Sequence, residues 1–178
     1  MKTITRAGAL LARTTTPALL EALGRTEFEG YASLFHVADG AGDIVAPGAF
    51  TRSLVRRPAP KVRMLHQHFA HEPIGVWTTI KEDARGLYVR GRLNADVQRA
   101  REVAALIAQG ALDGLSIGFR AVRARRDAAR NTRTLLEIEL WEISVVTFPL
   151  LAASTVTAIG TKHDLAAQLR TAGAAFRA

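Results

Sequence analysis

Three of the chain's five histidines, His66, His68 and His71, fall within six positions in "RMLHQHFAHEPIGVW" (residues 63–77). Imidazoles this close together can ligate a metal, supply a general base or occupy a surface with no role. If the stretch is a strand, His66 and His68 project to one face. That suits two metal ligands, with Glu72 or His71 as a third. Ser116, in "DGLSIGF" (residues 113–119), enters a strand just after a helix end and a glycine. A hydroxyl there can stand at a rim with backbone N–H groups nearby to stabilise an oxyanion. It is not read as the strand-to-helix elbow of an α/β-hydrolase. Glu142 interrupts the apolar run "LWEISVVTFP" (residues 140–149). A carboxylate inside such a strand is costly unless paired, and a histidine N–H would pair it and fix the imidazole tautomer. The other reading puts Glu142 on the solvent face with Ser144. Hydroxyl, imidazole and carboxylate are the three parts of nucleophilic catalysis by serine.

The elements that must position these groups are mostly strands. "FEGYASLFHVAD" (residues 28–39) reads as a strand ending in a turn, and "GAGDIVAPGAF" as a loop with a short extended piece. "FTRSLVRR" makes two helical turns before the prolines of "RPAP" stop it. "KVRMLHQH" alternates as a strand does, and "IGVWTTIKED" with "LYVRGRL" flanks a glycine turn as a hairpin. The clearest helix lies in "NADVQRAREVAALIAQGAL", capped by Asn94 and ended by Gly110, with Val97, Val103, Ala104, Ile107 and Ala108 along one stripe. "LSIGFRAVRARRD" is a strand whose partner, residues 132–149, forms two strands or one bent one. The basic "RARRDAARN" between them is a solvated hairpin loop. The pattern is a mainly β (α+β) domain with one inserted helix, not alternating βαβ units. No phosphate-binding glycine loop is present.

With 178 residues, 48% of them hydrophobic and 22% charged, the chain has the composition of one globular domain. The absence of cysteine excludes disulfides, zinc–thiolate sites and cysteine nucleophiles, and fits a reducing compartment. The net charge of +8 suits an acidic or nucleic-acid partner; arginine usage in a high-GC genome is the plain alternative. No apolar run approaches the ~20 residues of a membrane span. Residues 1–25 read as an N-terminal extension and candidate propeptide, residues 26–160 as the folded domain, and residues 161–178 as a helical tail.

Taken in order, "GYASLF", "DIVAPGAF" (43–50), "MLHQH…PIGVW", "GLSIGF" and "EISVVTFP" resemble the prohead proteases of tailed phages, over about Phe28 to Ile159. These capsid-maturation serine proteases also occur in prophages and gene-transfer-agent clusters. The resemblance implies a β-barrel with surrounding helices, like that of the herpesvirus assemblins. It also implies a serine endopeptidase with His68 as base, Ser116 as nucleophile and Glu142 as third member. His66 stands where the family commonly has an aromatic, and Phe69 where it has an acid, so the choice between His66 and His68 stays open. Arg120, on the strand face of Ser116, is a further candidate for the oxyanion. The implied substrates are the scaffold segment of the major capsid protein, a separate scaffolding protein and the chain itself, met inside the procapsid in the host cytoplasm. The reading requires no cofactor, metal, membrane or nucleic acid, and a homo-oligomer is compatible with it. The other classes left open are a non-catalytic capsid-assembly or nucleic-acid-binding module and a metal hydrolase built on the histidine cluster.

Overall fold

A computed structural model describes residues 26–160; the expected N-terminal extension and C-terminal helical tail lie outside the described residues. Eight strands run in chain order as β1 (Glu27–Leu34), β2 (Asp43–Val45), β3 (Arg63–His66), β4 (Pro73–Glu82), β5 (Gly86–Leu93), β6 (Gly114–Asp127), β7 (Thr132–Val146) and β8 (Val156–Ile159). Two helices, α1 (Thr51–Arg56) and α2 (Gln98–Ala108), and a 3₁₀ turn at Ala59–Lys61 complete the described part. The fold is mainly β, as the alternation of apolar residues predicts.

All eight strands form one sheet in the order β2-β7-β3-β4-β5-β1-β8, with β6 on the other side of β7. The sheet curls until its ends meet: Gly114 of β6 bridges Thr155 ahead of β8, and the N–H of Leu115 donates to Ser154 O at 2.8 Å. The concave side is filled by Phe28, Met64, Ile74, Trp77, Leu87, Leu115, Leu140 and Ile143, each no more than 1% exposed. Phe28 meets Trp77 edge to face with ring centroids 5.5 Å apart.

β7 is the spine. It pairs antiparallel with β6 along one edge, and parallel with β2 and then β3 along the other. It is one strand, the second of the two expected arrangements, and a bulge bends it. Gly118 sits opposite Glu142 and Phe119 opposite Leu140, so Trp141 is the extra residue. One inserted residue reverses the alternation. Ile138 and Leu140 face the core before the bulge, and Ile143 and Val145 after it. Glu142 and Ser144 thereby turn to the opposite face.

Several local readings are corrected. The first strand ends at Leu34, and the turn expected before Asp39 begins with His36 at a left-handed φ of 63°. The basic hairpin loop is shorter than expected. β6 continues through Asp127 and β7 resumes at Thr132, so Arg123, Arg125 and Arg126 lie on a strand exposed on both faces. Asn94 does not cap α2. Its N–H still belongs to the sheet, donating to Ile74 O, while its side chain accepts the N–H of Asp96. The helix starts behind Val97 with no side-chain cap. Ala100, Val103, Ala104 and Ile107 form the buried stripe and Ala108 is exposed. Gly110, at φ 71°, ends the helix in the conformation that favours glycine. Strand β8 lies in the Ala- and Thr-rich stretch after Pro149, where the sequence pattern predicts no strand.

Candidate active site

The strand carrying the histidines stops at His66. Gln67 and His68 both adopt left-handed φ values, 52° and 61°, which turn the chain back over β7. This overturns the expectation that His66 and His68 share a strand face. Left-handed backbone is costly for residues other than glycine, so hydrogen bonds must hold it. The N–H of Gln67 donates to Val145 O at 3.0 Å, and its side-chain amide donates to Thr147 Oγ1 at 2.7 Å. The N–H of His68 donates to Ser144 Oγ at 3.1 Å.

The turn delivers the His68 ring between β6 and β7. Its Nδ1–H donates to Glu142 Oε1 at 2.6 Å, which leaves Nε2 free to accept the hydroxyl proton of Ser116 at 3.0 Å. Glu142 is held in turn: Ser144 Oγ donates to its second oxygen at 2.6 Å. Ser144 is fully buried, so this one hydroxyl fixes both the carboxylate and the backbone of His68. Gly118 makes room for the carboxylate. A Cβ there would collide with Glu142 Oε1 and lie 2.7 Å from its Cδ. Neither Ser144 nor Gly118 was singled out from sequence, although the Glu-x-Ser alternation on β7 was the available signal.

The Glu142 hydrogen bond, and then its charge, raise the His68 pKa above the ordinary imidazole value, with burial pulling the other way. Ser116 is 9% exposed and lines a small, largely apolar hollow of about 30 Å³ with Ala32, Leu34, Val37, Ile117 and Leu150. A larger groove of about 480 Å³ lies elsewhere, between Pro73, Val76, Arg92 and Val97, and meets none of these side chains.

The other candidates go elsewhere. His66 Nδ1 pairs with Glu72 at 2.8 Å, and His71 stacks on Phe69 with centroids 5.6 Å apart. The three histidines therefore do not converge on one point, and no group of three His, Asp or Glu side chains among the described residues is arranged to hold a metal. Arg120 is committed to Glu139 across the hairpin, at 2.7 and 3.0 Å, and is not aimed at Ser116. Glu142 faces His68 rather than solvent. Residues 114–118 do have the Gly-x-Ser-x-Gly spacing, but here it lies within β6 and not at a strand-to-helix elbow.

A hydroxyl, an imidazole and a carboxylate joined in this order on a curled β-sheet are the constellation of a serine-type peptidase. The Caudovirus prohead serine protease family matches residues 14–168, and the chain belongs to that family. It is a serine-type peptidase of capsid maturation. The prohead protease of Enterobacteria phage HK97 is 38% identical over 151 residues, covering 80% of this chain and 67% of that protein. In fold, the bacteriophage T4 capsid assembly protease gp21 is similar at a TM-score of 0.54, with 12% identity over 67% of this chain and 80% of that one. The varicella-zoster virus protease gives 0.46 with 16% identity, over 73% and 62%. Among the described residues no helix is long and apolar enough to cross a membrane.

Proposed function

We propose that Ser116 is the nucleophile, His68 the general base and Glu142 the residue that orients it. The observation that carries this reading is the continuous hydrogen-bonded chain from Ser116 Oγ through the imidazole to Glu142. As Ser116 Oγ bonds to the scissile carbonyl carbon, its proton passes to His68 Nε2. The imidazolium, stabilised by Glu142, gives that proton to the leaving amine as the C–N bond breaks. Water then enters by the same route and releases the acyl group from Ser116. Backbone N–H groups are the proposed donors to the oxyanion.

The base works only when neutral. Because Glu142 raises the His68 pKa above 6.5, the acid limb of kcat/KM should lie above pH 6.5, with activity falling as pH drops through it. Glu142→Gln removes the main cause of the shift, so the limb should move down toward 6.5. The amide would also donate to Nδ1 and impose the wrong tautomer, lowering the plateau on the order of 10⁴-fold. A pH–rate profile of both proteins tests this, and an unmoved limb counts against Glu142.

The proposed substrates are the scaffold segment of a major capsid protein, a separate scaffolding protein and the chain itself, inside the assembling procapsid in the host cytoplasm. Residues 26–160 are the proposed protease unit, with residues 1–25 and 161–178 as candidate self-processing segments. The HK97 relative's name, prohead protease, supports the setting. The net charge of +8, and Arg123, Arg125 and Arg126 on β6 with no acidic partner among the described residues, support steering by acidic substrate segments. Mixing the purified chain with capsid and scaffolding proteins across a salt series should give fragments, fastest at low salt. Self-cleavage that leaves both proteins intact would overturn the substrate assignment, and salt-independent rates would overturn the steering.

A further inference from the structure

The loop that carries His68 leaves the sheet at His66 and rejoins it at Pro73, and a second imidazole–carboxylate pair closes its neck. His66 Nδ1–H donates to Glu72 Oε2 at 2.8 Å. The backbone seals the same neck: the N–H of His66 donates to Glu72 O at 3.1 Å, that of Phe69 to His66 O at 2.9 Å, and that of Glu72 to Phe69 O at 2.9 Å. Arg99, in the first turn of α2, reaches the same Glu72 oxygen at 3.4 Å, while its Nη1 is held by Glu102 at 2.6 Å. His66 and Glu72 are 16% and 23% exposed, and neither bonds to Ser116, His68 or Glu142.

We propose that His66 and Glu72 are positioning residues for His68, and that Arg99 registers them against the helix leading to Ser116. This rests on the reading of His68 as the base. Two adjacent residues with left-handed φ do not hold themselves. On the β7 side the loop is pinned by Val145 O and Ser144 Oγ. On the β4 side the His66–Glu72 side-chain pair adds a side-chain pin to the backbone bonds of the neck. Its loss gives the imidazole of His68, which is 45% exposed, more room to leave the Ser116–Glu142 line. From Arg99, α2 runs to Gly110 and on to Ser116, so one carboxylate ties the base's loop to the nucleophile's approach. The groups facing that carboxylate are His66 first, then Arg99 and His71, and together they hold Glu72 ionised below the usual carboxylate range.

The test uses the full chain carrying His66→Leu, His66→Asn or Glu72→Gln. It reads kcat and KM on a peptide, together with the low-field Nδ1–H resonance of His68. His66→Leu should lower kcat roughly tenfold to hundredfold, since small misplacements of a reacting group have effects of that size. KM should change little, and the His68 resonance should broaden. In His66→Asn an amide N–H stands where Nδ1–H was, and most of kcat and the sharp resonance should return. Glu72→Gln should fall between the two. Wild-type kcat and resonance in His66→Leu overturn the proposal; should that variant fail to fold, the same result in Glu72→Gln does so. The resonance needs no turnover. An inactive wild type with a sharp His68 signal would therefore sink the catalytic reading separately from the role of the pair.

Discussion

A chain carrying Ser116→Ala is expected to fold like the wild type and to lose cleavage by on the order of 10⁶-fold. The size follows from the chemistry. With Oγ gone no acyl–enzyme can form, and His68 has no hydroxyl to deprotonate. What remains is binding and polarisation of the carbonyl, which alone give a residual rate on the order of 10³–10⁴-fold above that in water. The fold has little at stake. Ser116 is the third residue of β6, and its backbone stays in the ladder opposite Ser144. Its hydroxyl bonds to His68, and replacing it should cost no more than ~1 kcal/mol. Thermal melts and peptide turnover on the same preparation check both halves. A folded variant that keeps a tenth of the wild-type rate would place the nucleophile elsewhere.

The second large effect is at His68. Its removal should match that of Ser116, because base and nucleophile act as a unit and either loss reduces the rate by a similar order of about 10⁶. Alanine is a poor choice here: at φ 61° the backbone is left-handed, a conformation that asparagine and histidine adopt more readily than alanine. Asparagine tolerates that conformation and cannot act as the base. His68→Asn should therefore stay folded with turnover abolished. His66→Ala, which removes only the bond to Glu72, should retain measurable turnover. Equal losses at both positions, with both variants folded, would return the base assignment to open choice. Retained turnover in His68→Asn would reject it.

Ser116 and Glu142 stand out in the sequence because of what they are, a hydroxyl after a helix end and a carboxylate in an apolar strand. His68 is one of three clustered imidazoles that only the family resemblance puts forward as the base, with His66 left open. The strands that carry two of them follow from alternation. The structure joins the three in one hydrogen-bonded chain. What alternation cannot yield is the geometry that joins them. "KVRMLHQH" keeps a strand pattern past the point where the strand ends, because the left-handed turn at Gln67 and His68 is stabilised by Val145, Ser144 and Thr147, some 80 residues away. Local pattern carries no trace of those partners. The bulge at Trp141 is hidden in the same way. A strict period of two would put Glu142 on the face of Leu140, in the core, and one unpaired residue reverses that. Asn94 misleads for a different reason: its side chain suits a cap, but its backbone is still needed by the sheet. Gly118 has a reason visible only once β6 lies against β7, where a glycine alone leaves space for the Glu142 carboxylate.

The central claim, that this chain is a peptidase acting through Ser116, is tested most directly by intact-mass spectrometry. Wild type and Ser116→Ala are each co-expressed with the capsid protein bearing its scaffold segment. The account predicts truncated protease and shortened capsid protein in the wild-type sample, with full-length masses for both in Ser116→Ala. The same truncated masses in both samples would contradict it.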